Sequence, residues 1–396
     1  MNATPFHIMT KPVGPRCNID CSYCYYTEKE AQYPDEKKFR MSDAMLESYI
    51  RDLIATTLET GRNEVHFAWQ GGEPTMLGLD YFRQIVDLQS RHRPQSVRIT
   101  NSIQTNGTLL NEDWAGFLAG QGFLVGISVD GPKHKHDQYR KDRAGRPTFD
   151  AVMRGLDHLR TAGVEFNILT TVHHANVTRG KELYRFLRDL GSAYLQFIPI
   201  VERSSPGTRM AAPPQIDADP SACVAPWSVA PKAYGKFLCD IFDIWYRQDV
   251  GRVFVQFFET QLALWAGLPS ALCLFAETCG SALALEHNGD LYTCDHFVYP
   301  PYRIGNITQT PLRDLVWSEK ARAFGQDKAD GLTTECRTCA CRFACNGGCP
   351  KHRFVKTAGG LQNYLCESYK MFFHHAGPRM RMLAARELTR SAACSG

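Results

Sequence analysis

Fifteen cysteines in a chain of 396 residues are crowded toward its two ends. Three fall before residue 25, none lies between 25 and 222, and nine lie from 273 to 366. The fold must therefore place a long scaffold between two cysteine-bearing regions. Cysteine-rich chains are often disulfide frameworks of small secreted domains. The start here, Met1-Asn2-Ala3-Thr4-Pro5-Phe6-His7, has no charged region followed by an apolar one, so no secretory signal is expected. Metal ligation is then the better use of so many thiols in a large chain. The first three, Cys17, Cys21 and Cys24, read C-x3-C-x2-C on one short segment. Three thiolates there can hold three irons of a cubane [4Fe–4S] cluster and leave the fourth iron open to a small molecule. A structural zinc site closes with four protein ligands, so three fit zinc less well.

The scaffold alternates apolar runs with amphipathic ones. Candidate strands are Phe6–Thr10, Val65–Trp69, Val97–Gln104, Leu124–Ser128, Phe166–Thr170 and Tyr194–Ile198. Helical patterns lie at Ala44–Leu58, Tyr81–Arg91, Phe149–Ala162 and Lys181–Leu190. This alternation predicts an α/β fold with a parallel sheet, and six units fit a partial (β/α)6, TIM-like barrel. Ligands of such sheets gather at the carboxyl ends of the strands, and the three-cysteine loop follows the first strand. Residues 203–231 carry Pro206, Pro213, Pro214, Pro220, Pro226 and Pro231 and read as an irregular boundary, followed by a helix near Tyr234–Arg247.

The string Cys17-Asn18-Ile19-Asp20-Cys21-Ser22-Tyr23-Cys24 resembles the signature of the radical S-adenosylmethionine (SAM) enzymes. The resemblance implies that SAM chelates the open iron and is cleaved to a 5′-deoxyadenosyl radical that abstracts hydrogen. The chemistry is the cofactor's; the protein aims it and keeps it dry. Gln70-Gly71-Gly72-Glu73-Pro74 follows the second strand and looks like the family motif that holds the SAM amino group. Asn106, in Gln104-Thr105-Asn106-Gly107-Thr108, and Ser128 and Asp130, in Ser128-Val129-Asp130-Gly131-Pro132, resemble stretches lining the SAM and substrate cavity. Ser128 is the candidate for a ribose contact. Simple turn chemistry is the alternative for Asn106 and Asp130. Tyr23, Tyr25 and Tyr26 crowd the cluster loop, either packing there or contacting bound molecules, and Tyr23 is counted with the cofactor contacts. Lys133-His134-Lys135-His136 reads as a solvated basic loop rather than a metal site.

The second region holds Cys273, Cys279 and Cys294, then Cys336, Cys339, Cys341, Cys345, Cys349 and Cys366. The latter group contains C-x2-C-x5-C-x3-C and resembles a SPASM domain, an extension with two auxiliary [4Fe–4S] clusters. By that resemblance Cys273, Cys279, Cys294 and Cys349 hold one cluster, and Cys336, Cys339, Cys345 and Cys366 hold the other. A pair of zinc sites is the alternative that four-cysteine spacing also permits. Cys341 is surplus, and Cys223, Cys239 and Cys394 read as ordinary thiols. The expected domains are 1–205, a radical SAM core; 206–268, a linker and helical segment; and 269–396, the SPASM domain.

Tyr292-Thr293-Cys294-Asp295-His296-Phe297, followed by Arg303-Ile304-Gly305-Asn306, resembles the anaerobic sulfatase-maturating enzymes, and the resemblance runs from Pro12 to about residue 375. It implies oxidation of a cysteine or serine in an unfolded or nascent sulfatase to Cα-formylglycine, with Asp295 as the base. It also implies an electron donor such as flavodoxin or ferredoxin. Another SPASM maturase, acting on a different ribosomal peptide, is the alternative. With 45 basic against 41 acidic residues and a net charge of +4, neither nucleic acid nor a membrane surface is expected as partner. A cytoplasmic location is the matching expectation.

Overall fold

The computed structural model describes residues 3–206, 211–212 and 219–394, with side chains to residue 389. Pro213, Pro214 and the Cys394 thiol lie outside the described residues and side chains.

The six expected strands form: β1 (His7–Lys11), β2 (Glu64–Trp69), β3 (Arg98–Thr105), β4 (Leu124–Ser128), β5 (Phe166–Val172) and β6 (Tyr194–Pro199). Each pairs in parallel with the next. The helices α1 (Asp43–Leu58), α2 (Leu79–His92), α3 (Glu112–Gly120), α4 (Lys133–Tyr139), α5 (Phe149–Thr161) and α6 (Gly180–Arg188) fill the crossovers. Local chemistry starts them: the Ser42 hydroxyl accepts from the Met45 N–H to cap α1, and the Asn111 side chain accepts from Trp114 to cap α3. Strict alternation along β5 sends Phe166, Ile168, Thr170 and Val172 to one buried face.

The rest of the chain extends this sheet at both edges. A two-residue pair, β7 (Arg203–Ser204) and β8 (Cys223–Val224), stands apart; β9 (Phe254–Val255) then joins β6 in parallel. β10 (Ala282–Glu286) pairs in parallel with β1, from His7 opposite Ala282 to Lys11 opposite Glu286. β11 (Asp290–Tyr292) and β12 (Arg303–Asn306) continue antiparallel, and β13 (Arg353–Thr357) with β14 (Gly360–Asn363) forms a separate hairpin. One ten-stranded sheet thus runs across residue 269, where the sequence pattern suggests a domain limit.

The remaining helices are α7 (Pro231–Gln248), α8 (Gln256–Trp265), α9 (Leu312–Val316), α10 (Glu319–Asp330), α11 (Thr334–Arg337), α12 (Arg342–Cys345) and α13 (Cys366–Cys394). α13 lies along α7 and α8 through Phe372, whose ring meets Phe242 edge-on at 5.5 Å and stacks on Phe258 at 5.5 Å. Among the described residues no helix is long and apolar enough to cross a membrane.

One local expectation is overturned. Lys133–His136 is not a loop but the start of α4; Lys133 and His134 are exposed as expected, whereas His136 is fully buried. Its ring meets Thr148 Oγ1 at 3.2 Å and, at Nδ1, accepts from the Asp130 N–H at 3.4 Å. A histidine with a satisfied ring packs against the barrel wall, whatever the charge of its sequence neighbours.

Candidate functional site

The carboxyl ends of β1 to β4 carry the cysteine loop, the Gly-Gly turn, Asn106 and Asp130 onto one rim of the sheet. Cys17, Cys21 and Cys24 are in no disulfide, and Cys24 lies within electrostatic reach of the other two. Burial pushes the Cys17 thiol up to about 12, with Glu73 and Cys24 adding to it, and burial raises Cys21 further. Such thiols keep their protons until a metal displaces them. The Arg140 guanidinium favours the thiolate at Cys21, and Asn106 Nδ2 donates to Cys17 Sγ at 3.6 Å. A ring of sulfurs with one amide donor and one buried cation fits an anionic iron–sulfur core.

The Gly-Gly turn is pressed onto the segment before Cys17. The Gly72 N–H donates to Gly14 O at 2.8 Å and the Glu73 N–H to Arg16 O at 2.9 Å. A Cβ on Gly72 would sit 1.8 Å from Arg16 O. Because that obstacle is backbone, Gly72→Ala should shift the cysteine loop, with a stability loss of about 3 kcal/mol. A thermal melt checks this; an unchanged melting temperature would contradict the close approach.

The Glu73 carboxylate is fully buried and already occupied. Oε1 accepts from Thr75 Oγ1 at 2.6 Å, Thr105 Oγ1 at 2.7 Å and the Thr75 N–H at 3.1 Å; Oε2 accepts from the Asn106 N–H at 2.6 Å. Four donors use the lone pairs of a carboxylate, so this side chain ties two strand ends together. Gln70 Oε1 beside it is buried without a partner. Ser128 Oγ is half-buried and meets Gln104 Nε2 at 3.2 Å. Tyr23 is buried in a chain of contacts: Arg140 donates to Tyr23 Oη at 2.9 Å, and Tyr23 Oη donates to Asp130 Oδ2 at 2.5 Å. Asp130 also accepts from the Thr171 N–H at 3.0 Å. Tyr23 and Asp130 therefore brace the loop against β4 and β5.

The other cysteines form two groups. Cys279 and Cys294 each lie within electrostatic reach of Cys273 and Cys349. Cys345 and Cys366 each lie within reach of Cys336 and Cys339. The backbone separates Cys345 from Cys349 by a run of left-handed residues, Asn346 at φ 46°, Gly347 at 71° and Gly348 at 61°. That run reverses the chain between two cysteines four apart, so they serve different groups. Two buried cations serve these groups: Lys328 lies by the first, and Arg353 lies between the two, within electrostatic reach of Cys279 and Cys349 as well as Cys336 and Cys345. Lys328 donates to the carbonyls of Cys273 at 2.6 Å and Ala276, while Arg353 donates to Gly347 O at 3.2 Å and Lys328 O at 2.7 Å. Among the described residues no three His, Cys, Asp or Glu side chains converge on a single metal ion. Cluster thiolates need no such convergence, because each binds a different iron.

Asp295 lies between the N-terminal loop and the first of these groups. It follows Cys294 directly, opens a 3-10 turn over Asp295–Phe297 and is 5 % exposed. Lys11, at the end of β1, forms a salt bridge with Oδ1, and Tyr25 Oη donates to Oδ2 at 2.5 Å. Burial by itself would raise this carboxyl. The Lys11 ammonium, His296 and the two hydrogen bonds outweigh burial and hold it well below the usual carboxylate range. Lys11 is 1 % exposed and rests 3.5 Å over the Tyr26 ring, whose hydroxyl donates to Glu286 at 2.7 Å. Sequence reasoning missed Lys11; a lysine ending the first strand, next to the cysteine loop, was the available signal.

The sequence matches the Radical SAM superfamily over residues 12–187 and an iron–sulfur cluster-binding domain over 273–340. A serine-type anaerobic sulfatase-maturating enzyme of Bacteroides thetaiotaomicron is 41 % identical over 96 % of this chain and 91 % of its own length. A cysteine-type enzyme of Clostridium perfringens is 33 % identical over 95 % and 97 %. A solved structure described as native anSMEcpe with bound AdoMet superposes with a TM-score of 0.83 at 33 % identity, covering 96 % of this chain and all of its own. A second, with AdoMet and a Kp18Cys peptide, gives 0.82 at 33 % identity, covering 97 % of this chain and 100 % of its own.

Proposed function

Because the chain belongs to the anaerobic sulfatase-maturating enzymes of the radical SAM superfamily, we propose that it oxidises a cysteine or serine side chain of a sulfatase polypeptide to Cα-formylglycine. The observation that carries this reading is Asp295, ionised and gripped by Lys11 and Tyr25 between the two cysteine regions. Cys17, Cys21 and Cys24 hold the cluster that binds SAM. Cys273, Cys279, Cys294 and Cys349 hold the first auxiliary [4Fe–4S] cluster; Cys336, Cys339, Cys345 and Cys366 hold the second. Once bound, the clusters and SAM supply a hydrogen-abstracting deoxyadenosyl radical and an outlet for one electron.

The chain's own residues then have separable roles. Gln70, Gly71 and Gly72 present backbone and amide oxygens to the SAM ammonium, and Glu73 fixes that turn through Thr105 and Asn106. Ser128 faces the ribose. Tyr23 and Arg140 hold the cysteine loop in register. Asp295 takes the proton from the substrate thiol or hydroxyl, while Lys11 keeps it charged and oriented. A flavodoxin or ferredoxin supplies electrons, the substrate is an unfolded or nascent sulfatase, and the enzyme works in the cytoplasm without nucleic acid or membrane as partner.

The test is anaerobic reconstitution with SAM, a reductant and peptides bearing Cys-x-Pro-x-Arg or Ser-x-Pro-x-Arg. Products are read by mass. Formylglycine in at least one peptide supports the proposal; SAM cleavage with both peptides unmodified overturns it. The anaerobically purified protein should also carry about twelve irons, four per cluster. About four irons with bound zinc would instead replace the auxiliary clusters by zinc sites.

A further inference from the structure

We propose that Cys341 is an interchangeable fifth ligand of the second auxiliary cluster, able to take the iron that Cys339 holds. The inference rests on the four-thiolate reading of that set given above.

Five thiols border one pocket: Cys336, Cys339, Cys341, Cys345 and Cys366. The Cys341 thiol lies beside that of Cys339 on the same pocket wall and within electrostatic reach of Cys366. A cubane has four irons, so one of the five thiols stands aside. The local backbone makes Cys339 and Cys341 near equivalents. Both lie on the turn between α11 and α12, closed by the Arg342 N–H donating to Cys339 O at 3.0 Å. With Cys339 the ligands read C-x2-C-x5-C to Cys345; with Cys341 they read C-x4-C-x3-C. Intervals of two and of four residues both occur between cluster ligands.

Neither thiol is locked in the core, since Cys339 and Cys341 are both half-buried. Exchanging them asks for side-chain rotation on an open turn. Cys345 differs: it precedes the left-handed Asn346–Gly348 run, which Arg353 and Asn363 pin by hydrogen bonds. Lys370 lies near both Cys341 and Cys366, so positive charge is present whichever thiolate is bound. The exchange balances without a redox partner. Cys341 gives up its proton and forms an Fe–S bond, the Fe–S bond to Cys339 breaks, and Cys339 takes up a proton.

The experiment alkylates the anaerobic holoprotein with iodoacetamide and maps the labelled cysteines by mass. In the unaltered protein Cys341 should be labelled and the other four protected. In Cys339→Ala, Cys341 should become protected with iron content unchanged. Continued labelling of Cys341 in Cys339→Ala, or loss of that cluster's iron, overturns the proposal. Labelling of all five in the unaltered protein would instead refute the four-thiolate reading itself. Iron release to a chelator gives a second readout. Cys341→Ala should match the unaltered protein, and the Cys339→Ala/Cys341→Ala double variant should release iron at least about tenfold faster than Cys339→Ala alone. Equal release from the single Cys339→Ala and the double variant would also overturn it.

Discussion

A variant carrying Cys17→Ala, Cys21→Ala and Cys24→Ala cleaves no SAM, and its iron falls from about twelve to about eight per chain. The loss is complete because the three thiols sit on one short loop with no fourth cysteine among them. The remaining eight irons stay because their ligands stand on other elements, from the segment before β10 to the start of α13. The barrel should survive too. Its core is apolar, built from residues such as Ile8, Phe67, Ile103, Ile127 and Ile168, and does not depend on the loop. Deoxyadenosine measured by chromatography, beside total iron and circular dichroism, checks all three parts. Deoxyadenosine at the unaltered rate would refute the assignment of these cysteines to the SAM cluster.

Asp295→Asn should uncouple the reaction: SAM is bound and cleaved in the presence of peptide, but little or no formylglycine forms. Magnitudes explain why the failure comes late. A free thiol titrates near 8.5 and a free Asp near 3.9, so direct transfer is uphill by about 4.6 units, or about 6 kcal/mol. Burial alone would narrow that gap, as it does at many active sites. Here it does not, because burial is outweighed first of all by the Lys11 ammonium and the carboxyl is pushed lower still. The gap widens, and a serine hydroxyl makes it worse. The proposed reaction therefore places hydrogen abstraction first. A carbon radical beside S–H or O–H acidifies that proton, and loss of an electron completes the oxidation to the aldehyde level. On the proposed reading Asp295 serves as a base for an activated proton, and a carboxyl held low is no obstacle. Asn has a similar shape but cannot accept the proton as a carboxylate can, so hydrogen abstraction and product formation separate. Peptide mass beside deoxyadenosine yield measures the split. Formylglycine at the unaltered rate in Asp295→Asn would remove Asp295 as the base.

The barrel was legible because its elements are local. Period-two alternation in β5 and the apolar stripes of α1, α5 and α6 are written in consecutive residues, and the expected limits differ from the observed ones by a few residues at most. The C-terminal strands were less visible. β9, β11 and β12 are two to four residues long, too short for periodicity to show. They exist because pairing with an already formed sheet satisfies their backbone groups.

The candidate site divides in the same way. Thiolate chemistry depends on residue type and spacing, so cysteine positions alone named the two metal-bearing regions. The strings around Gly72 and Asp295 marked where a cofactor and a base should be sought. Charge and occupancy depend on distance through space, which spacing does not encode. Only the folded chain brings Lys11 from the end of β1 onto Asp295, nearly three hundred residues later, because β10 docks beside β1 and carries the following hairpin with it. Only the folded chain shows the Glu73 carboxylate consumed by Thr75, Thr105 and Asn106, and His136 turned inward from a basic run. Periodicity and ligand spacing are properties of short segments and survive in one dimension. Desolvation and ion pairing are set by whichever distant groups the sheet places within a few ångströms.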